Sequence, residues 1–414
     1  MVRRVNLYEK PKFHFTPERN WMNDPNGLLY YKGEYHLFFQ HNPNGILWGD
    51  MSWGHAVSKD LLNWEHLPVA LPFYPDAGIF SGSAVVDYTN SSGFGSIENP
   101  AIVAIFTKHL NDGTNQSQCL AYSLNDGRTF TYYDNNPVID LGMADFRDPK
   151  VWRDHANNRW LMVVVKPKEF KACFYQSTNL KEWELLSEFG NVGAMGGCWE
   201  CPDLFPLTTP DGISKWILII SINPGGPHGG SATQYFIGDW DGTEFTADDT
   251  EIRWIDLGTD NYAGVTFNDA PNNRRIFIGW MNNWIYANDY AQAGQLLSMT
   301  IPREIGITKT GSTFIVTQEP LIDVNLVSTF ELKSELTIVA TDGEQELALY
   351  FTDRKMRVDR SKSWNLPIKE IECDILSATS MRFVIDSHTL EIFFNNGQVC
   401  SVAHAMNQPH IIYK

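Results

Sequence analysis

The sequence predicts an all-β chain, a five-bladed β-propeller followed by a smaller β-sandwich, and two observations carry that expectation. Helical periodicity is scarce over the 414 residues, while short alternating or β-branched runs bounded by Gly, Asn, Asp and Pro recur throughout. Residues 35–39, 101–107, 160–165, 216–222 and 275–279 are such runs. A weak internal repeat is the second observation. Ser58-Lys59-Asp60-Leu61-Leu62-Asn63-Trp64-Glu65 resembles Ser177-Thr178-Asn179-Leu180-Lys181-Glu182-Trp183-Glu184. Asp126-Gly127-Arg128-Thr129-Phe130 and Asp241-Gly242-Thr243-Glu244-Phe245 are looser copies, and Thr310-Gly311-Ser312-Thr313-Phe314 is a faint fifth. Their aromatic positions are separated by 66, 53, 62 and 69 residues, a length that suits one four-stranded blade with its loops. Unrelated hairpins with Asp-Gly turns would leave a similar trace. After about residue 320 Trp becomes rare, and the alternating runs 346–351, 381–385 and 389–394 predict a second β domain. The expected division is therefore 1–320 and 321–414.

Composition narrows the function classes. Hydrophobic content of 43% is ordinary, whereas aromatic content of 13%, with 14 Trp, is high; aromatic faces serve sugar rings as well as cores. A net charge of −17 argues against nucleic acid or an anionic membrane as partner and favours a neutral small-molecule or oligosaccharide substrate. No run reaches transmembrane length. Met1-Val2-Arg3-Arg4 leads into no apolar signal segment, which keeps a cytoplasmic location open, while the sequons Asn90-Ser91-Ser92 and Asn115-Gln116-Ser117 lean toward secretion. Six cysteines are too few for a disulfide scaffold. Cys198-Trp199-Glu200-Cys201 has CxxC spacing without a second pair or a histidine couple, so no metal or other cofactor is expected.

The chemistry centres on Trp21-Met22-Asn23-Asp24-Pro25-Asn26-Gly27. Pro25 fixes its own φ and pushes Asp24 out of the helical region, so the carboxylate is carried on stiff, extended backbone. Gly27 permits a sharp exit into the apolar run 28–31. A rigidly held carboxylate at the mouth of a strand suits a nucleophile; the same residues also suit a plain turn. Asp145-Phe146-Arg147-Asp148-Pro149 repeats the Asp-Pro device with an arginine before the acid, which is expected to keep Asp148 ionised. Trp199-Glu200-Cys201-Pro202-Asp203 places Glu200 among apolar neighbours, which favours its protonated form. Three such acids converging on one axis would make a retaining glycosidase layout.

These motifs resemble glycoside hydrolase family 32, the invertase, inulinase and levanase group of β-fructofuranosidases. The similarity extends through Phe39-Gln40, Trp48-Gly49, Trp53-Gly54-His55-Ala56, Phe80-Ser81-Gly82-Ser83, residues 221–226, 279–284 and Ile301-Pro302-Arg303-Glu304, covering about 11–305. The resemblance implies a five-bladed propeller followed by a β-sandwich. It implies Asp24 as nucleophile, Glu200 as acid/base and Asp148 as the stabiliser that binds fructose hydroxyls. Asn23, Pro25, Asn26, Gln40, Trp48, Ser81 and Arg147 would line a fructose subsite, walled by Phe80 and Trp284; His36 and His55 are read as structural.

Two departures stand out. The family follows its Trp-x-Tyr-Ala with a proline-rich loop holding a Trp-Arg pair, but here Trp284-Ile285-Tyr286-Ala287 leads into residues 288–296 without proline, Trp or Arg. That segment is expected to be a less restrained loop on the leaving-group side. The C-terminal region is also shorter than the family's usual sandwich, where contacts of a homodimer would fall. A fructosyltransferase would share every residue named; a non-catalytic fructan-binding module would not need all three acids.

Overall fold

A computed structural model describes residues 10–322, 328–332, 335–352, 354–363, 366–406 and 409–413. The stretch Met1–Arg4 lies outside them. Among the described residues no helix is long and apolar enough to cross a membrane.

The chain is all-β, and through residue 320 it forms five consecutive antiparallel meanders. The first sheet is Trp21–Tyr31, Glu34–Asn42, Ser52–Ser58 and Trp64–Leu71. The second is Ala77–Asp87, Ala101–Leu110, Gln116–Ser123 and Thr131–Tyr132, with Ile139–Met143 added on the third strand. Arg147–Asp154, Arg159–Lys166, Lys171–Ser177 and Glu184–Gly190 make the third. The fourth is Cys198–Thr208, Ser214–Asn223, Ala232–Trp240 and Phe245–Ala247, with Arg253–Trp254 beside its third strand. Tyr262–Thr266, Ile276–Trp280, Arg303–Thr310 and Thr313–Pro320 complete the fifth. The first strand of each sheet packs on the first strand of the next, and the fifth returns to the first. Asn268 closes that circuit, its backbone exchanging hydrogen bonds with Leu28 and Tyr30.

The repeat has a local cause. Trp64, Phe245 and Phe314 stand in the fourth strand of their sheet, and Phe130 and Trp183 immediately precede theirs. In the two best copies the same bonds recur: Ser58 Oγ accepts from Leu61 N and Ser177 Oγ from Leu180 N, both at 2.9 Å. Trp64 Nε1 donates to Leu61 O at 3.0 Å and Trp183 Nε1 to Leu180 O at 2.9 Å. The side chains thus satisfy a tight turn that would otherwise leave backbone groups unpaired.

All five first strands are irregular at the same end. Register shifts fall between Met22 and Pro25, Phe80 and Gly82, Arg147 and Lys150, Glu200 and Asp203, and Tyr262 and Val265. Pro25, Pro149 and Pro202 sit in three of these bulges, where a missing N–H does least harm to a ladder. Asp148, Cys201 and Ala263 take positive φ of 66°, 47° and 54°. Bulges re-aim side chains and are common beside functional sites. Here they turn one end of the circuit into a cluster of polar groups.

Beyond residue 320 the strands form two sheets. Ser328–Glu331, Ser380–Ile385, Thr389–Phe394 and Val399–Ala403 make one; Glu370–Asp374, Lys355–Lys362, Glu346–Phe351, Leu336–Thr341 and His410–Tyr413 make the other. Ile338, Leu349 and Val358 from the second share one apolar cluster with Phe383, Ile392 and Phe394 from the first. A buried charge network ties these sheets to the rest. Arg303 pairs with Glu391 at 2.6 Å and Asp256 at 3.0 Å, and His14 contacts Glu391 at 3.0 Å and Asp386 at 3.2 Å. Arg303, which the sequence offered as part of a family motif, is thus a junction residue.

Candidate active site

Asp24 lies in the first bulge and collects three donors. Ser81 Oγ donates to its Oδ2 at 2.7 Å, Asn23 Nδ2 to its Oδ1 at 2.9 Å, and Cys201 Sγ approaches Oδ2 at 3.5 Å. Each donor is itself held. Trp21 Nε1 donates to Asn23 Oδ1 at 2.7 Å. With the Asn26 carboxamide oriented to satisfy both ends, its nitrogen donates to Ser81 Oγ at 3.2 Å and its oxygen accepts from Gln40 Nε2 at 2.9 Å. Asn26 and Gln40, anticipated as subsite lining, are fully enclosed and act as struts beneath Ser81. Burial pushes the Asp24 carboxyl above its ordinary range, and the three donors work against that push.

Asp148 comes from the third sheet. Its Oδ2 accepts from Cys201 N at 2.9 Å, with Cys201 Sγ at 3.6 Å, and its own N donates to Thr107 Oγ1 at 2.9 Å. One cysteine therefore touches both aspartates. Glu200, from the fourth sheet, accepts from Arg147 Nε at 3.1 Å, pairs with Arg147 Nη2 at 3.0 Å, and accepts from the Tyr262 hydroxyl of the fifth sheet.

Two expectations about these acids need correction. Arg147 was expected to hold Asp148 ionised, but its guanidinium contacts Glu200, Asp145 and Gln116 instead. Burial pushes Asp148 up to about 6, outweighing the more distant arginine. Adjacent residues of a strand do not share a direction, and the bulge here sends the two side chains to different partners. Glu200 was expected among apolar neighbours. Trp199 instead faces the core beside Phe170 and Phe236, while Glu200 itself meets Arg147 and Tyr262. Its pKa is nevertheless pushed up to about 7, by burial first, with Asp148 and Asp24 adding to the push and Arg147 opposing it.

The aromatic walls fall as follows. Trp48 is 46% exposed and packs edge-on against Phe80 at 6.0 Å; Phe80, partly buried against the core, stacks on His109 at 4.3 Å. Trp284 stacks on Trp21 at 5.7 Å and lies 4.9 Å from Trp280. His36 and His55 bond to each other at 3.1 Å inside the first sheet, with pKa values lowered by burial. The segment after Trp284 differs from the loop expected. Ala287–Gln292 is the one α-helix among the described residues, with Ala287, Tyr290 and Ala291 buried and the Tyr290 hydroxyl donating to His404 O at 2.6 Å. Alanines without an intervening proline permit that turn.

Sequence reasoning missed Tyr262, Gln116 and Thr107, and it gave Cys201 no role of its own within the Trp199–Asp203 motif or the CxxC pair. No local pattern marks them, because each reaches the site from a sheet remote in sequence.

Asp148 is buried and Asp24 and Glu200 are partly buried at one end of the circuit, on the bulges of the first, third and fourth sheets, and burial raises the pKa of all three. The description "glycosyl hydrolases family 32 N-terminal domain" matches residues 14–320, and the chain belongs to that family. It is 39% identical to the levanase of Bacillus subtilis (strain 168) over 94% of this chain, and 44% identical to the extracellular exo-inulinase of Aspergillus awamori over 76% of it. It spans 65% of the length of each of those two relatives. Among solved structures, exo-inulinase from Aspergillus awamori superposes with TM-score 0.88 at 32% identity, covering 98% of this chain and 96% of that one. Fructofuranosidase from Schwanniomyces occidentalis complexed with fructose gives 0.88 at 30%, covering 100% and 96%.

Proposed function

We propose that this chain is a retaining β-fructofuranosidase that releases terminal fructose from sucrose and from fructans such as inulin and levan. The observation that carries the reading is the meeting of Asp24, Asp148 and Glu200, with Cys201 touching both aspartates and Glu200, its pKa raised to about 7, gripped by Arg147 and Tyr262. Three donors favour negative charge on Asp24, as a nucleophile requires. Glu200 carries the proton at acidic to neutral pH; a phenol can accept as well as donate, so Tyr262 adapts to either form.

In the first half-reaction Asp24 attacks the anomeric carbon while Glu200 protonates the departing oxygen. In the second, ionised Glu200 takes a proton from water, which releases fructose with retained configuration. Asp148 Oδ2 is taken by Cys201, which leaves Oδ1 to accept fructose hydroxyls. Asn23 and Ser81 orient the nucleophile, Arg147 sets the acid, and Trp48, Phe80 and Trp284 wall the ring. The five sheets are read as the blades of a propeller spanning 1–320, and the last two as a sandwich spanning 321–414; the cyclic packing of first strands and the shared core of the last sheets support this.

Timed chromatography of sucrose, inulin and levan digests tests the function. Free fructose from the first time points is expected from the wild type, with losses on the order of a thousandfold in Asp24→Asn and Glu200→Gln. Early fructooligosaccharides with little fructose would mean endo cleavage, and products longer than the substrate would mean fructosyl transfer.

A further inference from the structure

The five first strands run from the carboxylates toward an opposite end, and a cavity of about 850 Å³ opens there. Trp152 and Arg153 follow Asp148 along one strand, Leu207 follows Glu200 along another, and Asp269 follows Tyr262. Between the two ends lie the buried Lys150–Asp203 pair at 3.1 Å and Asn268, whose Nδ2 donates to Ala84 O and Val151 O. These plug the axis, so the cavity is a separate chamber.

Its polar groups have spare capacity. The Arg153 guanidinium lies over the Trp160 ring at 4.8 Å and bonds Asn158 through Nη2, while its buried Nη1 has no partner. Arg275 packs over Phe205 at 5.6 Å and makes no ion pair or side-chain hydrogen bond among the described residues; burial depresses its pKa. Arg275, half-buried and without an ion pair or side-chain hydrogen bond among the described residues, can donate into the chamber it lines, while the enclosed Nη1 of Arg153 is an unsatisfied donor in the wall beside it. Asp269 adds an exposed carboxylate, and Tyr88, 50% exposed, adds an aromatic face. Arg274 is neutralised by Glu304 at 2.7 Å. Arg153, Arg274 and Arg275 are matched around the chamber by Asp269, Glu304 and Glu319, which favours a neutral ligand rich in hydroxyls over an anion. Paired donors and acceptors beside an aromatic face suit a sugar ring.

We infer that this chamber is a second, non-catalytic saccharide site, placed to hold another part of a fructan or another chain. Fructan as ligand rests on the function proposed above. The test titrates full-length Glu200→Gln calorimetrically with a short inulin-type fructooligosaccharide. Two sites per chain are expected, and adding Arg153→Gln with Arg275→Gln should abolish one. The same arginine pair in the wild type should leave kcat/KM for sucrose unchanged. Tyr88→Ala, on an exposed side chain, should weaken the second site several-fold without touching the fold. A single site that survives the arginine changes, or two sites that persist, overturns the inference. A single site lost with the arginines would support it while counting against the proposed fructose subsite.

Discussion

Arg147 grips Glu200 with two nitrogens, Nε at 3.1 Å and Nη2 at 3.0 Å, on a carboxyl whose pKa burial has already raised. The arginine is held in turn by Gln116 Oε1 at 3.2 Å and Asp145 Oδ1 at 3.1 Å, and Lys168 pairs with Asp145 at 2.7 Å. This chain of contacts sets the proton affinity of the acid by opposing burial with a fixed positive charge.

The pH profile follows. In the proposed mechanism Glu200 acts in its protonated form, so kcat/KM should fall as pH rises through about 7. Arg147 favours the ionised form; removing its charge in Arg147→Gln raises the Glu200 pKa and should move the alkaline limb to higher pH while lowering the maximum. Initial rates on sucrose across pH check both, and a limb that stays in place would detach Arg147 from the acid.

Tyr262→Phe removes a donor from Glu200, the proposed acid/base. A hydrogen bond to a charged group contributes roughly 1.5–3 kcal/mol, which predicts a fall in kcat of about 10- to 100-fold with little change in KM. Steady-state kinetics with circular dichroism as a fold control decide it.

Stability should respond to the buried junction network. Arg303→Met leaves Asp256 without its cation and Glu391 with His14 alone, and should cost about 3–5 kcal/mol in urea unfolding. Burial opposes charging His14, but hydrogen bonds to Asp386 and Glu391 win and raise its pKa to about 9. A raised histidine stabilises fully below its unfolded value of 6.5, and that contribution is lost as pH rises through about 9. The stability gap between wild type and His14→Gln should therefore shrink between those pH values. Asp386 reports the same contact from the acid side: its pKa is lowered to about 2, so its contribution holds above 3.8 and fades as pH falls through about 2.

Much of this was legible in the residues. The spacing of Trp64, Phe130, Trp183, Phe245 and Phe314 marked one repeat per sheet, and in the two best copies one turn chemistry recurs there. The Pro after Asp24, Asp148 and Cys201 marked the bulges, since proline survives in a sheet mainly where the ladder is already broken. Partners across sheets were not legible. Tyr262 reaches Glu200 over 62 positions and Gln116 reaches Arg147 over 31, distances at which no local periodicity speaks. The Asp148–Arg147 pairing failed for the opposite reason: neighbours in sequence were read as direct partners, whereas burial outweighs the arginine's pull and its nitrogens bond elsewhere.

Mass spectrometry of Glu200→Gln incubated with an aryl β-fructofuranoside tests the central claim most directly. The good leaving group spares the first step from needing an acid, while the missing base stalls hydrolysis of the intermediate. A covalent fructosyl unit on the peptide carrying Asp24 is predicted, absent in Asp24→Asn. A label on Asp148, or turnover of the aryl substrate by Asp24→Asn at the rate of Glu200→Gln, would contradict Asp24 as the nucleophile.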